Sequence, residues 1–406
     1  MTDTATGRLA VLRLLALSVA CAMTVSVIYI PQSLLASIAA DLEISHQMAS
    51  VLATAVMVGY AAGIVFLVPL AARIETRRQV TYQTIALACM LLLAAAVPNL
   101  AAAIAAFAAV GFVAGISQVL IAAANRMSPV ARRGATNSVL VGSLLVGIFG
   151  GRALMSVSTE WIGWRGTVVA AAVAVLAVLP STRWALRRSL PPEGSVLPHG
   201  ALVGTIVRQA VRNRTLLRAA LTQACVLATF NSIWTVMVLH LTDSEISWTL
   251  GQAGLFGLVG ALAGLFTPWS GRLIDRYGAR RMTGWFLLVL LVAMAAILPT
   301  SGVPVAFGFV MFIATWTNQS ALSGNQVRAL AADPERSAQL NTAFSFIVFL
   351  GGGLGGLLGP LVYALGGIDA VAVEGILLIA AAIALWWSIP DSIAEEKVRP
   401  PSLSSV

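Results

Sequence analysis

Residues 100–123 read LAAAIAAFAAVGFVAGISQVLIAA, with no charge anywhere and nothing polar before Ser117 and Gln118. A helix rises 1.5 Å per residue, so about 20 apolar residues cross the roughly 30 Å hydrocarbon core of a bilayer. Backbone amides in hydrocarbon find no water, and an alanine- and leucine-rich run of this length must satisfy them as a helix. A membrane barrel would show alternating strands of about ten residues instead.

The rest of the chain extends this pattern. Of 406 residues, 59% are hydrophobic and 10% charged, and the mean hydropathy is +0.90, far too little charge for a water-exposed surface of this size. Twelve spans are predicted: Leu14 to Leu35, Ala49 to Ala71, Tyr82 to Val97, Leu100 to Ala123, Asn137 to Val157 and Thr167 to Trp184, then Ala219 to Leu241, Gly251 to Trp269, Met282 to Leu298, Val303 to Leu322, Thr342 to Leu365 and Val371 to Trp387. They are helices 1 to 12 below. The first could be mistaken for a signal peptide behind Arg8 and Arg13, but it continues to Leu35 without a small-residue cleavage site.

Net charge is +9, yet no water-facing domain exists on which basic residues could gather to bind nucleic acid. Cys21, Cys89 and Cys225 all lie in apolar runs, as packing residues rather than disulfide partners or metal ligands. No cofactor or metal is expected.

Arginine placement orients the chain, because basic loops stay in the cytoplasm. Arg73, Arg77 and Arg78 follow helix 2, Arg126, Arg132 and Arg133 follow helix 4, Arg272, Arg276, Arg280 and Arg281 follow helix 8, and Arg328 and Arg336 follow helix 10. The opposite loops carry Asp41, Glu43, Glu160, Asp243, Glu245 and Asp369, with only Arg152 and Arg165 out of pattern. Both termini are therefore expected in the cytoplasm of a bacterial inner membrane. So is the loop from Ala185 to Arg218, with Arg183, Arg187, Arg188, Pro191, Pro192, Arg208, Arg212 and Arg214 in or beside it.

An internal repeat appears at about half the chain length. Arg133 to Asn137, then Gly147 and Gly151, corresponds to Arg336 to Asn341, then Gly351 and Gly355. Leu70, Ala71, Arg73, Arg77 and Arg78 correspond to Leu273, Ile274, Arg276, Arg280 and Arg281. The expected organisation is a six-helix bundle over 1–184, a linker over 185–218, a second bundle over 219–390 and a tail over 391–406.

After helix 8 the sequence reads Gly271-Arg272-Leu273-Ile274-Asp275-Arg276-Tyr277-Gly278-Ala279-Arg280-Arg281. This resembles the repeated G-x-L-a-D-R-x-G-R-R loop of the major facilitator superfamily, and bacterial drug:proton antiporters are the nearest type. The copy after helix 2 departs from it, with Ala72 in place of aspartate and Glu75 in place of glycine. Gly163-Trp164-Arg165 and Asp333-Pro334-Glu335-Arg336 with Asn341 are also similar to family sequence. The resemblance implies an all-α fold of two pseudo-symmetric six-helix bundles. A central cavity lined by helices 1, 4, 7 and 10 would open alternately to each side.

Candidate residues follow. Asp275 with Arg276 and Arg280 would form a latch that pairs in one state only, against the plainer reading of a solvated charged turn; both glycines of the motif favour the latch. Glycines Gly142, Gly147, Gly150 and Gly151 in helix 5, and Gly351 to Gly359 in helix 11, allow close helix approach. The glycine-proline motif often found in exporters is absent after Gly150. Arg152 lies well inside helix 5, where burial costs at least about 2.5 to 3.5 kcal/mol without a partner. Snorkelling to the outer surface or bonding to carbonyls would answer that cost; the functional alternative is a ligand for an anionic substrate or a coupling carboxylate.

The polar lining expected from the resemblance is Tyr29 and Gln32, Ser117 and Gln118, Asn231, Trp234 and Thr235, Trp316, Asn318 and Gln319. Each also has the bland alternative of a bond across a helix interface, but together they suit an amphiphilic or aromatic compound better than a sugar or multiply charged ion. Asp41, Glu43 and Glu374 lie near the outer boundary, where solvated charge is the plain expectation, and Glu374 is the candidate for proton coupling. The reading is thus a lipid-embedded, monomeric secondary transporter of a small organic molecule, with protons as coupling ion and export as direction. Import or facilitated diffusion is the nearest alternative. An enzyme is disfavoured by the missing catalytic constellations, and a non-transporting sensor by the short polar tail.

Overall fold

The computed structural model describes residues 2–129, 133–186, 199–243, 246–333 and 336–388. Arg132, Arg187, Arg188, Pro191, Pro192, Glu245, Pro334, Glu335 and the 391–406 tail of the sequence reading lie outside the described residues.

Among these residues, nine segments are long and apolar enough to span a bilayer. Two of them, Ala135–Ala185 and Ser337–Trp387, each fold back at glycines with positive φ, Gly163 (68°) and Gly367 (63°), and so contribute two helices apiece. Thr76–Ala95 supplies the last, giving the all-helical, twelve-helix arrangement expected. It starts earlier than its apolar run because its polar first turns are satisfied. Gln79 Nε2 donates to the Leu67 carbonyl at 2.7 Å, and Thr81 and Thr84 back-bond to Arg77 and Val80, both at 2.7 Å. Helix starts carry side-chain caps at Ser45, Asn99, Asn213 and Thr249. The sequence reading missed an amphipathic helix in the linker, His199–Arg212. Its Ile206 and Ala210 pack with Val65 of helix 2, Leu216 of helix 7 and Leu340 and Phe344 of helix 11.

One large apolar cluster is drawn from helices 1 to 6 and another from helices 7 to 12, the second also taking in Leu145 and Phe149 of helix 5. The repeat has matching contacts in space. A Cβ on Gly147 would lie 2.2 Å from the Ala22 carbonyl oxygen of helix 1, and one on Gly351 2.6 Å from that of Ala224 on helix 7. Gly151 against Ser26 and Gly355 against Ala228 repeat the arrangement one turn on. Asn137 and Asn341 each accept an amide bond from the preceding helix, from Asn125 at 3.2 Å and Gln326 at 2.7 Å.

The two sets of helices meet along helix 2 with helix 11 and helix 5 with helix 8. Thr54 Oγ1 donates to the Gly353 carbonyl at 2.8 Å, and the Tyr60 ring stands edge-on to Phe349 with centroids 4.6 Å apart. Glycines 251, 254, 257, 260 and 264 of helix 8 face Glu160, Ser156, Phe149 and Leu145 of helix 5.

Candidate functional site

Helix 1 tightens to a 3-10 turn over Val27–Tyr29 before continuing as Ile30–Ser33, turning Tyr29 and Gln32 into the protein. They meet Arg152 there. Its Nη2 donates to Gln32 Oε1 at 2.5 Å, and its guanidinium carbon lies 4.5 Å from the Tyr29 ring centroid, 5.2 Å from Trp234 and 6.0 Å from Phe149. This corrects the expectation of snorkelling or carbonyl bonding. Arg152 is only 5% exposed, its observed hydrogen bond goes to a side-chain amide, and its Nε and Nη1 have no hydrogen-bond partner among the described residues.

A cavity of about 20 Å³ adjoins it, bounded by Gln32, Ser33, Ser156, Trp234, Met237 and the helix 8 glycines 254 and 257. A second, of about 10 Å³, lies between Phe230, Trp234, Met294 and Asn318. Trp234 borders both, joining helices 1 and 5 on one side to helices 7 and 10 on the other. Such volumes hold about one water, whereas a drug-sized ligand needs roughly 300 Å³ or more, so neither cavity admits such a cargo in this conformation.

Other expected lining residues divide. Asn231 Nδ2 donates to the Gly352 carbonyl at 2.9 Å, while its Oδ1, Trp234 Nε1, Thr235 Oγ1 and Asn318 Oδ1 are buried without protein partners. Each such atom costs about 1–3 kcal/mol. Gln118 is committed to Tyr60, at 3.4 Å, and Ser117, fully buried, lies against Cys21, whose thiol points to its carbonyl at 3.9 Å. Trp316 is turned away from the cavities: it stacks on Trp269 and donates to Ser270 at 2.8 Å. Gln319 is half-buried on helix 10 and borders neither cavity.

Glu374 is also corrected. Rather than sitting in solvent at the outer boundary, it is half-buried against the middle of helix 7, its Oε1 2.9 Å from Ser232 Oγ and its Oε2 buried without a partner. The same hydroxyl lies 2.9 Å from the Gly355 carbonyl of helix 11. The sequence reading missed Ser232, as it missed Phe149, Phe230 and Met237. An interior serine or aromatic carries no signal until a helix rotation is known.

The loop motifs differ as their sequences do. Gly278 takes φ 86°, a left-handed conformation that Glu75, its counterpart at φ −56°, does not need. Gly271 has open space around it. Asp275 is exposed and makes no ion pair among the described residues, while Arg276 lies over Tyr277 and Arg280 near Trp386. Arg281 is exposed on the next turn and Arg73 ends the helix 2 extension. Arg78 pairs with Glu75 at 3.3 Å, and Arg77 is partly buried. At the acidic end, Glu160 Oε1 of helix 5 accepts the Gly251 N–H at the start of helix 8 at 2.5 Å, and Leu239 packs with Leu35, Ala39 and Ala49. Asp41 is held by Arg165 at 2.9 Å; that arginine also donates to the Ala95 and Val97 carbonyls.

This geometry has known parallels. The chain is 28% identical over 375 residues to an uncharacterized transporter of Escherichia coli O157:H7, YgaY, covering 91% of this chain and 94% of the relative. A probable transporter of Streptomyces coelicolor, SCO4007, is 28% identical over 265 residues, 64% of this chain and 60% of its own. Among solved structures, a nucleoside transporter, NupG, superposes with TM-score 0.72 at 14% identity (92% and 98% coverage), and a peptide transporter, POT, with 0.72 at 12% (92% and 93%). At such identities the likeness is one of fold. The family description that matches residues 15–328 and 219–404 is that of the Major Facilitator Superfamily. The chain therefore belongs to the Major Facilitator Superfamily, as a multi-pass membrane transporter rather than an enzyme.

Proposed function

We propose that this transporter is a proton-coupled exporter of small organic compounds across the bacterial inner (plasma) membrane. It works as a monomer with both termini in the cytoplasm. The bundles 1–184 and 219–390, joined by the 185–218 linker, rock against each other about the Arg152–Trp234 region, exposing it alternately to each side. The observation that carries the coupling is Glu374, a carboxylate held at Ser232 with its second oxygen unpartnered inside the helix 7–11–12 packing. The Ser232 hydroxyl has one proton and two acceptors within reach. When Glu374 is ionised, that proton is drawn from Gly355 to the carboxylate. When Glu374 is protonated, it donates to Ser232 and the serine donates to Gly355, so proton uptake changes the helix 7–11 seam.

The resemblance of the sequence to drug:proton antiporter-type exporters supports export, and the amide and indole groups beside apolar walls support an amphiphilic or aromatic cargo. The test is flux into proteoliposomes under an imposed pH gradient across a compound panel, comparing wild type with Glu374→Gln. Gradient-driven flux in wild type, with only downhill exchange in the variant, is expected. Flux that follows a substrate gradient and ignores the pH gradient would remove the antiport assignment.

A further inference from the structure

We infer that the cargo is an organic monoanion with an aromatic or apolar body, and that its negative group completes the coordination of Arg152. This deepens the transporter function proposed above and rests on it for the site's accessibility. A guanidinium stays charged when buried, so it cannot shed its cost by losing a proton. In a membrane interior such a charge is ordinarily paired with an acid. Here it is not. Arg152 is 5% exposed and offers five N–H donors, of which one hydrogen bond, to Gln32, is seen; Nε and Nη1 have no hydrogen-bond partner among the described residues. Among the described acids, Glu160 is bonded to the Gly251 N–H, Asp41 to Arg165 and one oxygen of Glu374 to Ser232, and no acid forms a salt bridge with Arg152.

What surrounds the cation instead is π-surface, from Tyr29, Trp234 and Phe149, which attracts a cation without neutralising it. The unpartnered donors belong to a residue that borders the cavity, beside the Gln32 amide, the Ser33 and Ser156 hydroxyls and the apolar Met237 and Val238. One fixed positive charge among rings and methyls matches one negative charge on an apolar body; a multiply charged phosphate would bring negative charges with nothing opposite them. The walls come from helices 1 and 5 and from helices 7 and 8, so a ligand seated here bridges the surfaces that must part and close during transport. Glycines 254 and 257 bring helix 8 against Ser156 and Arg152, and separation of that seam would enlarge the cavity.

The experiment is equilibrium binding to the purified full-length protein, by calorimetry and thermal shift, with no gradient. The probes are three matched pairs: benzoate and benzamide, 2-naphthoate and 2-naphthamide, indole-3-acetate and indole-3-acetamide. At least one acid should bind about tenfold or more tightly than its amide, the worth of a charge-assisted hydrogen bond. Arg152→Gln should erase that preference and Arg152→Lys retain part of it. Gln32→Glu keeps the arginine but places a carboxylate beside it; it should melt no lower than wild type and lose the preference. If no acid outbinds its amide, or if Arg152→Gln or Gln32→Glu still prefers the acid, the inference is wrong. A protein that passes the pH-gradient assay and fails here keeps its proposed coupling and loses only this cargo class.

Discussion

Gly355→Ala puts one methyl group at one of the tightest helix seams among the described residues. Its Cβ would lie 2.0 Å from the Ala228 carbonyl oxygen and 2.6 Å from the Ala228 Cα, both backbone atoms of helix 7 that cannot rotate aside. Helix 11 must retreat by roughly 1.4 Å to restore ordinary contact near 3.4 Å. That retreat stretches two bonds across the seam, Asn231 Nδ2 to the Gly352 carbonyl and Ser232 Oγ to the Gly355 carbonyl, both 2.9 Å. Overpacking costs about 1–3 kcal/mol and each lost bond about 1 kcal/mol, together about 3–5 kcal/mol. At roughly 2–4 °C per kcal/mol for a bundle the size of one half, the melting temperature should fall by at least about 6 °C. Gly142→Ala is the control, on helix 5 with nothing within 4 Å of its added Cβ. It should be neutral or stabilising by up to about 1 kcal/mol through helix propensity. Fluorescence-detected size-exclusion after heating measures both variants in detergent. A Gly355→Ala protein within about 2 °C of wild type, or a Gly142→Ala protein as unstable as it, would refute the close-approach account.

Three further outcomes are expected. Glu160→Ala removes the carboxylate that caps helix 8 across the acidic end; at about 0.3–1 kcal/mol, labelling of a cysteine placed at Ala253 by a membrane-impermeant maleimide should rise about two- to fivefold, and unchanged labelling would deny Glu160 a role in closure. Arg165→Ala breaks the tie among Asp41, Ala95 and Val97; because the ion pair is partly solvent-exposed, the carbonyl bonds carry most of a loss of about 1–2 kcal/mol, and a matching Tm loss in Asp41→Asn would show the ion pair matters more. Asp275→Asn should leave the melting temperature within about 1 °C, since Asp275 makes no ion pair among the described residues, yet slow transport if it latches another conformation; normal transport would remove the latch.

The solvent, the number of helices and the repeat were legible in the amino-acid pattern alone. Each follows from one-dimensional quantities: the length of uncharged runs such as 100–123, and the spacing of Gly147 and Gly151 against Gly351 and Gly355. That pattern also marked Arg152 as anomalous, because any charge inside an apolar run needs an explanation. Which explanation holds was a matter of azimuth and tilt, and these come only from packing. The glycine seams set how closely helices 5 and 8 approach, and that approach, with the 3-10 turn at Tyr29, brings Gln32 and Trp234 to the guanidinium instead of letting it reach the surface. Glu374 and Trp316 make the same point. Their positions along their helices were legible, but a helix presents every direction in 3.6 residues, so it is the packing of the helices that turns one toward Ser232 and the other toward Ser270.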